Sequence, residues 1–263
     1  MGDTIIREVT KGVWTFSRPF TRLGLLRIGG RSTAIKLQNG DVWVLASTPL
    51  CQATKDTLAK LGPVKYLIGA DSVHHLFLGE YHKEYPEAQL IAVEEAVNKR
   101  KADGLKFAGY WGDNNLNPKF GFESEVCSSA IYLTVMRLTS FAVVQIEHCY
   151  FSGFRNKDVA FWHKDSKSLI EADLLFNLPP TEQYSKSWFS GGLPFVKLTP
   201  YSWAQQSMMK NLSVNDEAMK RDVKTVASWD FERIIPCHGD VIEKDGNKAW
   251  RTLYQHFLEE GSG

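Results

Sequence analysis

Apolar residues recur in this chain as short runs and alternations, and the period switches repeatedly between that of a strand and that of a helix. Between residues 11 and 45, "GVWTFSRPF", "STAIKL" and "VWVLAS" predict three strands. The "QNGD" joining the last two carries Asn39-Gly40, the signal of a two-residue hairpin. "CQATKDTLAKLG" has helical spacing and a stop at Gly62-Pro63. The apolar run "VKYLIG" predicts a buried strand, "LFLGEYHKEYP" a helix closed before Pro86, "AQLIAV" another strand and "EEAVNKRKADG" a charged helix.

The middle is less regular. "FAGYWGDNNLNPKFGFESE" is rich in Gly, Asn and aromatic residues and reads as a long surface excursion of the kind that forms functional lids. Strands resume with "AIYLTVM" and "FAVVQIEH", and "DVAFWHKDSKSLIEADLLF" predicts a hairpin turning at "KDSK". Helices are expected at about 202–212 and 215–229, then the strand "ERIIPCHGD" and a terminal helix, "NKAWRTLYQHFLEE". Two strand-rich halves, each trimmed with helices, point to an α/β domain with helices outside two packed sheets.

Composition narrows the class. A chain of 263 residues can bury a sizeable core, and 43% hydrophobic with 23% charged residues is ordinary for a globular protein. A net charge of +1 gives no electrostatic reason to expect nucleic acid or a membrane as partner. Cys51, Cys127, Cys149 and Cys237 are scattered without a C-x-x-C pair. The first residues, "MGDTIIREVTKGVW", hold no apolar stretch of signal-peptide length, and Ile6 stands where a myristoylation motif wants Ser or Thr. No apolar run reaches membrane-spanning length. The expectation is a cytoplasmic protein with reduced thiols, its domain spanning 1–260 and ending before the Gly-Ser-Gly tail at 261–263.

Histidines supply the candidate chemistry. His74 and His75 stand side by side just after "VKYLIG", and His148 and His238 likewise sit where an apolar strand runs out into a loop. Asp173 interrupts an apolar strand at "SLIEADLLF", where an unpaired buried carboxylate would be costly. Strand ends on one edge of a sheet converge on a crevice, so a single site could collect all five. A lone histidine at a strand end is ordinarily a hydrogen-bonded loop residue. The adjacent pair argues for more, since two charged imidazoles repel while a metal ion favours both neutral. In "PCHGD", Gly239 would let backbone approach such a centre closely. His82, His163 and His256 lie on charged or turn segments and are left aside. Cys149 and Cys237 adjoin candidate histidines, but neighbours along a strand face opposite ways, so both are expected to be small buried residues.

These pieces, in this order, resemble the metallo-β-lactamase superfamily over nearly the whole chain, from "VWTFSR" and "STAIKLQNGDVWVLAS" to the terminal helix. The resemblance implies a four-layer αββα sandwich with one or two metals at the edge between its sheets. The family signature is an HxHxDH loop, a middle His, a bridging Asp and a last His. Here the first motif is degenerate: with His75 on its final His, His74 replaces its Asp, and Ala70 and Ser72 replace its first two His. The resemblance leaves one metal position, with His74, His75, Asp173 and His238 as ligands. Asp173 matches the bridging Asp, and His238 the last His. His148 is the nearest match to the middle His, several residues early, and is open to a role as ligand, supporting partner or proton shuttle.

One divalent ion per chain is thus implied, zinc foremost, with iron or manganese as alternatives. A metal-bound water would supply hydroxide near neutral pH and the ion would polarise a carbonyl. Asp173 could orient that water, with Asp240 or Asp71 handling protons. The expected substrate is a small molecule, an ester, lactone or thioester, aromatic ones included. Tyr110 and Trp111 in the long excursion, and Tyr184, Trp188 and Phe189 after the Asp173 strand, are the candidate binding rings. Two other readings stay open: a mononuclear iron enzyme of the oxygenase type, and a non-catalytic relative that binds a ligand or a structural metal.

Overall fold

The computed structural model describes residues 4–126, 142–187 and 197–259. The chain opens with β1 (Ile5–Thr10) and β2 (Val13–Arg18). A small hairpin, β3 (Thr21–Arg22) and β4 (Leu26–Arg27), precedes β5 (Gly30–Lys36) and β6 (Val42–Leu45). Helix-linked strands follow: α1 (Gln52–Leu61), β7 (Val64–Gly69), α2 (Leu78–Glu84), β8 (Gln89–Val93), α3 (Glu94–Arg100) and β9 (Gly109–Trp111). They form one sheet in the order β1-β2-β5-β6-β7-β8-β9, antiparallel as far as β6 and parallel beyond it. A short antiparallel pair, β10 (Ser124–Val126) and β11 (Ala142–Val144), leads to the second sheet.

That sheet is a meander of β12 (Ile146–Tyr150), β13 (Val159–His163) and β14 (Ser168–Glu171). The helices α4 (Trp203–Asn211) and α5 (Asp216–Ala227) then carry the chain to β15 (Arg233–Pro236), which lies parallel to β14. The helices α6 (Gly246–Leu253) and α7 (Gln255–Leu258) complete the layer. Caps set the helix starts: the Ser202 hydroxyl accepts from Gln205 N and the Asn215 side chain from Ala218 N.

Alternation in the second sheet builds the layers. Tyr150, Phe161, Ile170 and Ile235 face the first sheet and join a core with Trp43, Ile68 and Ile91. Cys149, Ala160, Leu169 and Ile234 face the other way, onto Met219, Val223, Trp250 and Tyr254 of the outer helices. Leu58, Tyr81 and Ala96 of α1, α2 and α3 pack onto the first sheet. The result is the helix–sheet–sheet–helix sandwich that the resemblance implied.

Several expectations change in detail. β1 lies ahead of the first predicted strand, and the long excursion contributes β9 to the edge of the first sheet. The Asn39-Gly40 turn is longer than two residues, with Leu37 N donating to Asp41 O and the Asn39 side chain accepting from Asp41 N. Leu37 is buried, which draws the chain inward before it reverses. The terminal helix divides at Tyr254, whose hydroxyl donates to Leu174 O (2.6 Å). The "KDSK" turn stands as expected, with His163 opposite Ser168. The strand expected at "AIYLTVM" lies outside the described residues.

Two pairs of parallel strands, β6 with β7 and β14 with β15, set the position of the site, because the loops at their carboxyl ends meet across the sandwich edge. Gly239 serves this meeting differently from the sequence expectation. At φ +91°, its backbone lies against Asn177, and an added Cβ would come within 2.2 Å of the Asn177 carbonyl oxygen. The close approach is thus between two loops. Gly239→Ala is expected to cost about 2–4 kcal/mol in urea denaturation, combining a disfavoured conformation with a backbone clash. Gly24→Ala in the β3–β4 hairpin, also at positive φ (+69°) but with nothing within 4 Å, should cost less, about 1–2 kcal/mol.

Candidate metal centre

Three potential ligands converge: one donor atom each from His74, Asp173 and His238, all within 4.8 Å of one another. Each leaves the carboxyl end of a parallel strand. His74 is in the turn after β7, Asp173 follows β14 and His238 follows β15. They lie at a cavity of about 390 Å³, whose walls include Phe20, Val73, Leu76 and Phe77 together with Arg18, Arg22, Ser47 and Thr48.

Supporting contacts orient each side chain. Asp71 accepts from the backbone N–H groups of Val73 and His74, and His74 Nδ1 donates to Asp71 Oδ2 at 2.9 Å. That turn aims His74 Nε2 inward. His238 Nδ1 donates to the Gly29 carbonyl at 2.6 Å, and its ring stacks on Phe176 with centroids 5.4 Å apart and planes 3° apart. Asn156 donates to Asp173 Oδ2 at 2.7 Å, leaving Asp173 Oδ1 buried without a hydrogen-bond partner. Histidines whose Nδ1 is bound to a carboxylate or carbonyl, with Nε2 left for the metal, are the usual arrangement of ligating imidazoles.

Two of the three inner distances match those between ligands of one ion, and the third, His74 to Asp173, is within 4.8 Å. His74 Nε2 and His238 Nε2 are 3.1 Å apart, and His238 Nε2 is 3.4 Å from Asp173 Oδ1. Ligand atoms arranged tetrahedrally at zinc-like bond lengths stand about 3.2–3.6 Å from one another. With both Nδ1 atoms protonated, two neutral rings would face each other lone pair to lone pair, so a proton or a cation must lie between them. In the protein alone the proton sits on His74. Burial opposes it, but Asp71 and then Asp173 raise the His74 pKa to about 10. Burial and the His74 charge lower His238 to about 3. Burial raises Asp173 to about 6, with His74 acting against it. Behind them Asp158, which accepts from Asp173 N at 2.6 Å, and Glu171 are pushed well above the carboxylate range, first by burial.

The structure thus brings together three of the four ligands expected from the sequence. His75 stands apart: its carbonyl is held by Arg100 Nε, its Nδ1 is buried without a partner and its ring does not line the cavity. Next-door residues in the turn face opposite ways, so the Asp71 contact that aims His74 inward turns His75 toward Lys99 and Arg100, whose charges, after burial, lower its pKa. His148 is embedded among Trp111, Phe122 and Phe161, opposite Phe161 in register; neither ring nitrogen has a hydrogen-bond partner among the described residues, and Nδ1 lies 3.8 Å from Glu123 Oε1. Burial holds it near pKa 4, and it too is absent from the cavity wall.

Asp240 ties down a loop, accepting from Glu182 N at 2.8 Å and from the Thr181 hydroxyl. Asp71, the other carboxylate considered for proton handling, is the partner of His74. Trp111 is fully buried, Tyr110 is exposed and neither lines the cavity. Tyr184 donates to the Phe20 carbonyl at 2.8 Å, anchoring a cavity residue rather than forming the wall itself. Trp188 and Phe189 lie outside the described residues. Phe20, Phe77, Asn156, Phe176 and Gly29 carried no pattern in the sequence that tied them to the site. Cys149 and Cys237 are buried free thiols in opposite core layers, and Cys51 is a partly buried one.

A metal ion must displace the His74 proton. Zinc affinity should therefore rise about tenfold per unit between pH 6 and 8, with about one proton released per ion bound at pH 7; calorimetry in two buffers of different ionisation enthalpy counts it. Asp71→Asn, which removes the charge behind His74, should weaken zinc binding by about 10- to 100-fold.

Protein-family models and curated protein sequences give no match to this chain. Solved structures do. A metallo-β-lactamase from Pontibacter korlensis is 9% identical and superimposes with a TM-score of 0.57, covering 98% of this chain and 100% of that one. One from Hirschia baltica is 11% identical, with a TM-score of 0.57 and the same coverage. A third, from Pseudomonas aeruginosa in a mono-zinc form, is 9% identical with a TM-score of 0.54, over 98% of this chain and 97% of its own. Identities this low speak to architecture alone, and they agree on it: this chain has the metallo-β-lactamase fold.

Proposed function

We propose that the protein is a metal-dependent hydrolase of a small ester, lactone or thioester, working with one divalent ion, zinc foremost. The observation that carries this reading is the convergence of His74, Asp173 and His238 at a cavity. Three protein ligands with room for a water is the pattern of catalytic zinc, whereas structural zinc is closed by four. A cavity of about 390 Å³ is of the size that takes a small molecule. A bound zinc ion would supply a hydroxide nucleophile near neutral pH and polarise the substrate carbonyl.

The chain's own residues prepare that chemistry. Asp71 and Gly29 fix the two imidazoles with Nε2 inward, and Asn156 holds one Asp173 oxygen so that the other faces the cluster. Asp173 Oδ1, buried without a hydrogen-bond partner, would ligate the ion or orient a water. Phe20, Val73 and Phe77 offer an apolar wall against which a substrate excludes solvent, which strengthens the polar interactions inside. Aromatic substrates would stack on Phe20 or Phe77 instead of the rings expected from the sequence.

Two histidines with one carboxylate also form the ligand set of non-haem iron oxygenases, and this composition favours an iron enzyme as the second reading. Metal-free protein reloaded with zinc or with iron(II) separates them. Under the hydrolase reading, zinc restores chelator-sensitive cleavage of at least one of p-nitrophenyl butanoate, a γ-lactone and an acyl thioester. His238→Ala and Asp173→Ala should each lower kcat/KM by about 100-fold or more. Activity only with iron, together with oxygen consumption, would establish the second reading and overturn the first.

A further inference from the structure

Most arginines described in this structure are engaged. Arg7 pairs with Glu182 and Glu243, Arg233 with Glu243 and Arg221 with Asp222. Arg31, Arg100, Arg155 and Arg251 donate to backbone carbonyls, and Arg27 also has a partner. The side chains of Arg18 and Arg22 alone among the described arginines have no hydrogen bond or ion pair with another described residue, and both residues line the cavity beside the metal cluster, Arg22 near enough to act electrostatically on Asp173 and His238.

Charge and shape at the cavity agree on what is missing. Two arginines line a cavity whose one wall carboxylate, Asp173, is directed to His238 and held by Asn156. The neighbouring carboxylate, Asp71, is taken by His74. The remaining wall is largely apolar, through Phe20, Leu76 and Phe77. Beside such walls the field of a fixed cation is screened less than on an open surface. Arg18 ends β2, and Arg22 sits in the hairpin whose base is fixed by the bond from Tyr184 to Phe20 O. Strand pairing therefore anchors the backbones of both arginines at the cavity that His74 and His238 also line. A guanidinium presents paired N–H donors that match the oxygens of a carboxylate or phosphate.

We infer that Arg18 and Arg22 form an anion subsite, and that the cavity takes a small molecule carrying a carboxylate or phosphate group on an apolar body. This deepens the hydrolase reading and rests on it for the bond that is cleaved, but the binding step stands without it. The anion would lie at the hairpin side, the apolar part against Phe20 and Phe77, and the reactive carbonyl would face the three ligands.

The test is binding, free of turnover. Affinities of 3-phenylpropanoate, phenyl phosphate and the neutral 3-phenylpropanamide are measured by calorimetry on metal-free protein, where no ion can capture the acid. At least one acid should bind about tenfold or more tightly than the amide, and the tighter one identifies the anionic group. Arg18→Gln/Arg22→Gln should bring that ratio close to one, while Arg22→Lys should keep part of it. Should the double variant fold poorly, Arg22→Gln, at an exposed position, carries the comparison. Equal binding of acid and amide by the wild-type protein, or a preference that survives in the glutamine variants, overturns the subsite. Zinc content is read separately: a protein that prefers the acid but binds no zinc keeps this subsite and loses the hydrolase reading.

Discussion

The buried guanidinium of Arg31 joins the two sheets at the point where the site forms. From β5 in the first sheet it donates to the carbonyls of Pro236 and Gly239, at 2.6 and 2.7 Å, on either side of His238. It also bonds the Ser17 hydroxyl and, at 3.4 Å, Glu182. Burial pulls its pKa down and Glu182 opposes the shift. A charge in this position is tolerable only because its donors are matched by carbonyls, a hydroxyl and a counter-ion. Those same carbonyls fix the loop after β15, and with it the direction in which His238 points.

A concentration of buried acids follows from the same crowding. Asp71, Asp158, Glu171 and Asp173 are all buried near one another, and they cannot all be ionised. Burial would raise Asp71, but the His74 charge and two backbone N–H groups hold it below the usual carboxylate range. Asp158 and Glu171 yield, pushed well above the carboxylate range by burial and then by neighbouring acids, and both accept from backbone N–H groups. Asp173 falls between, with a pKa near 6. One anion is thus committed to orienting a histidine and another is kept beside the two imidazoles. That division follows from position alone, since the four residues are chemically almost alike.

The cavity wall shows a comparable economy. Aromatic rings cluster around His148 and Trp111 in the core between the sheets, where they pack edge to face against one another. The cavity instead uses Phe20 and Phe77, carried by the segment before the β3–β4 hairpin and by the turn after β7. Rings placed on loops at strand ends can face a cavity; rings on a central strand face other strands.

Much of this was legible in the sequence. The strands around "VKYLIG", "AQLIAV" and "PCHGD" declare themselves because burial on both faces demands unbroken apolar runs. Asp173 stands out because a carboxylate in such a run needs a reason. Periodicity placed His74, His75, His148 and His238 at strand ends, where ligands can gather, but not which way each ring turns. That was decided by contacts between residues distant in sequence: Gly29 with His238, Asn156 with Asp173, and Phe161 opposite His148. Even His74 and His75 are separated only by the hydrogen bond to Asp71, a choice of direction at one turn. Local pattern fixes which segments become strands and helices, because the period of burial is written residue by residue. The site depends on orientation across the sandwich edge, which exists only once both sheets have packed.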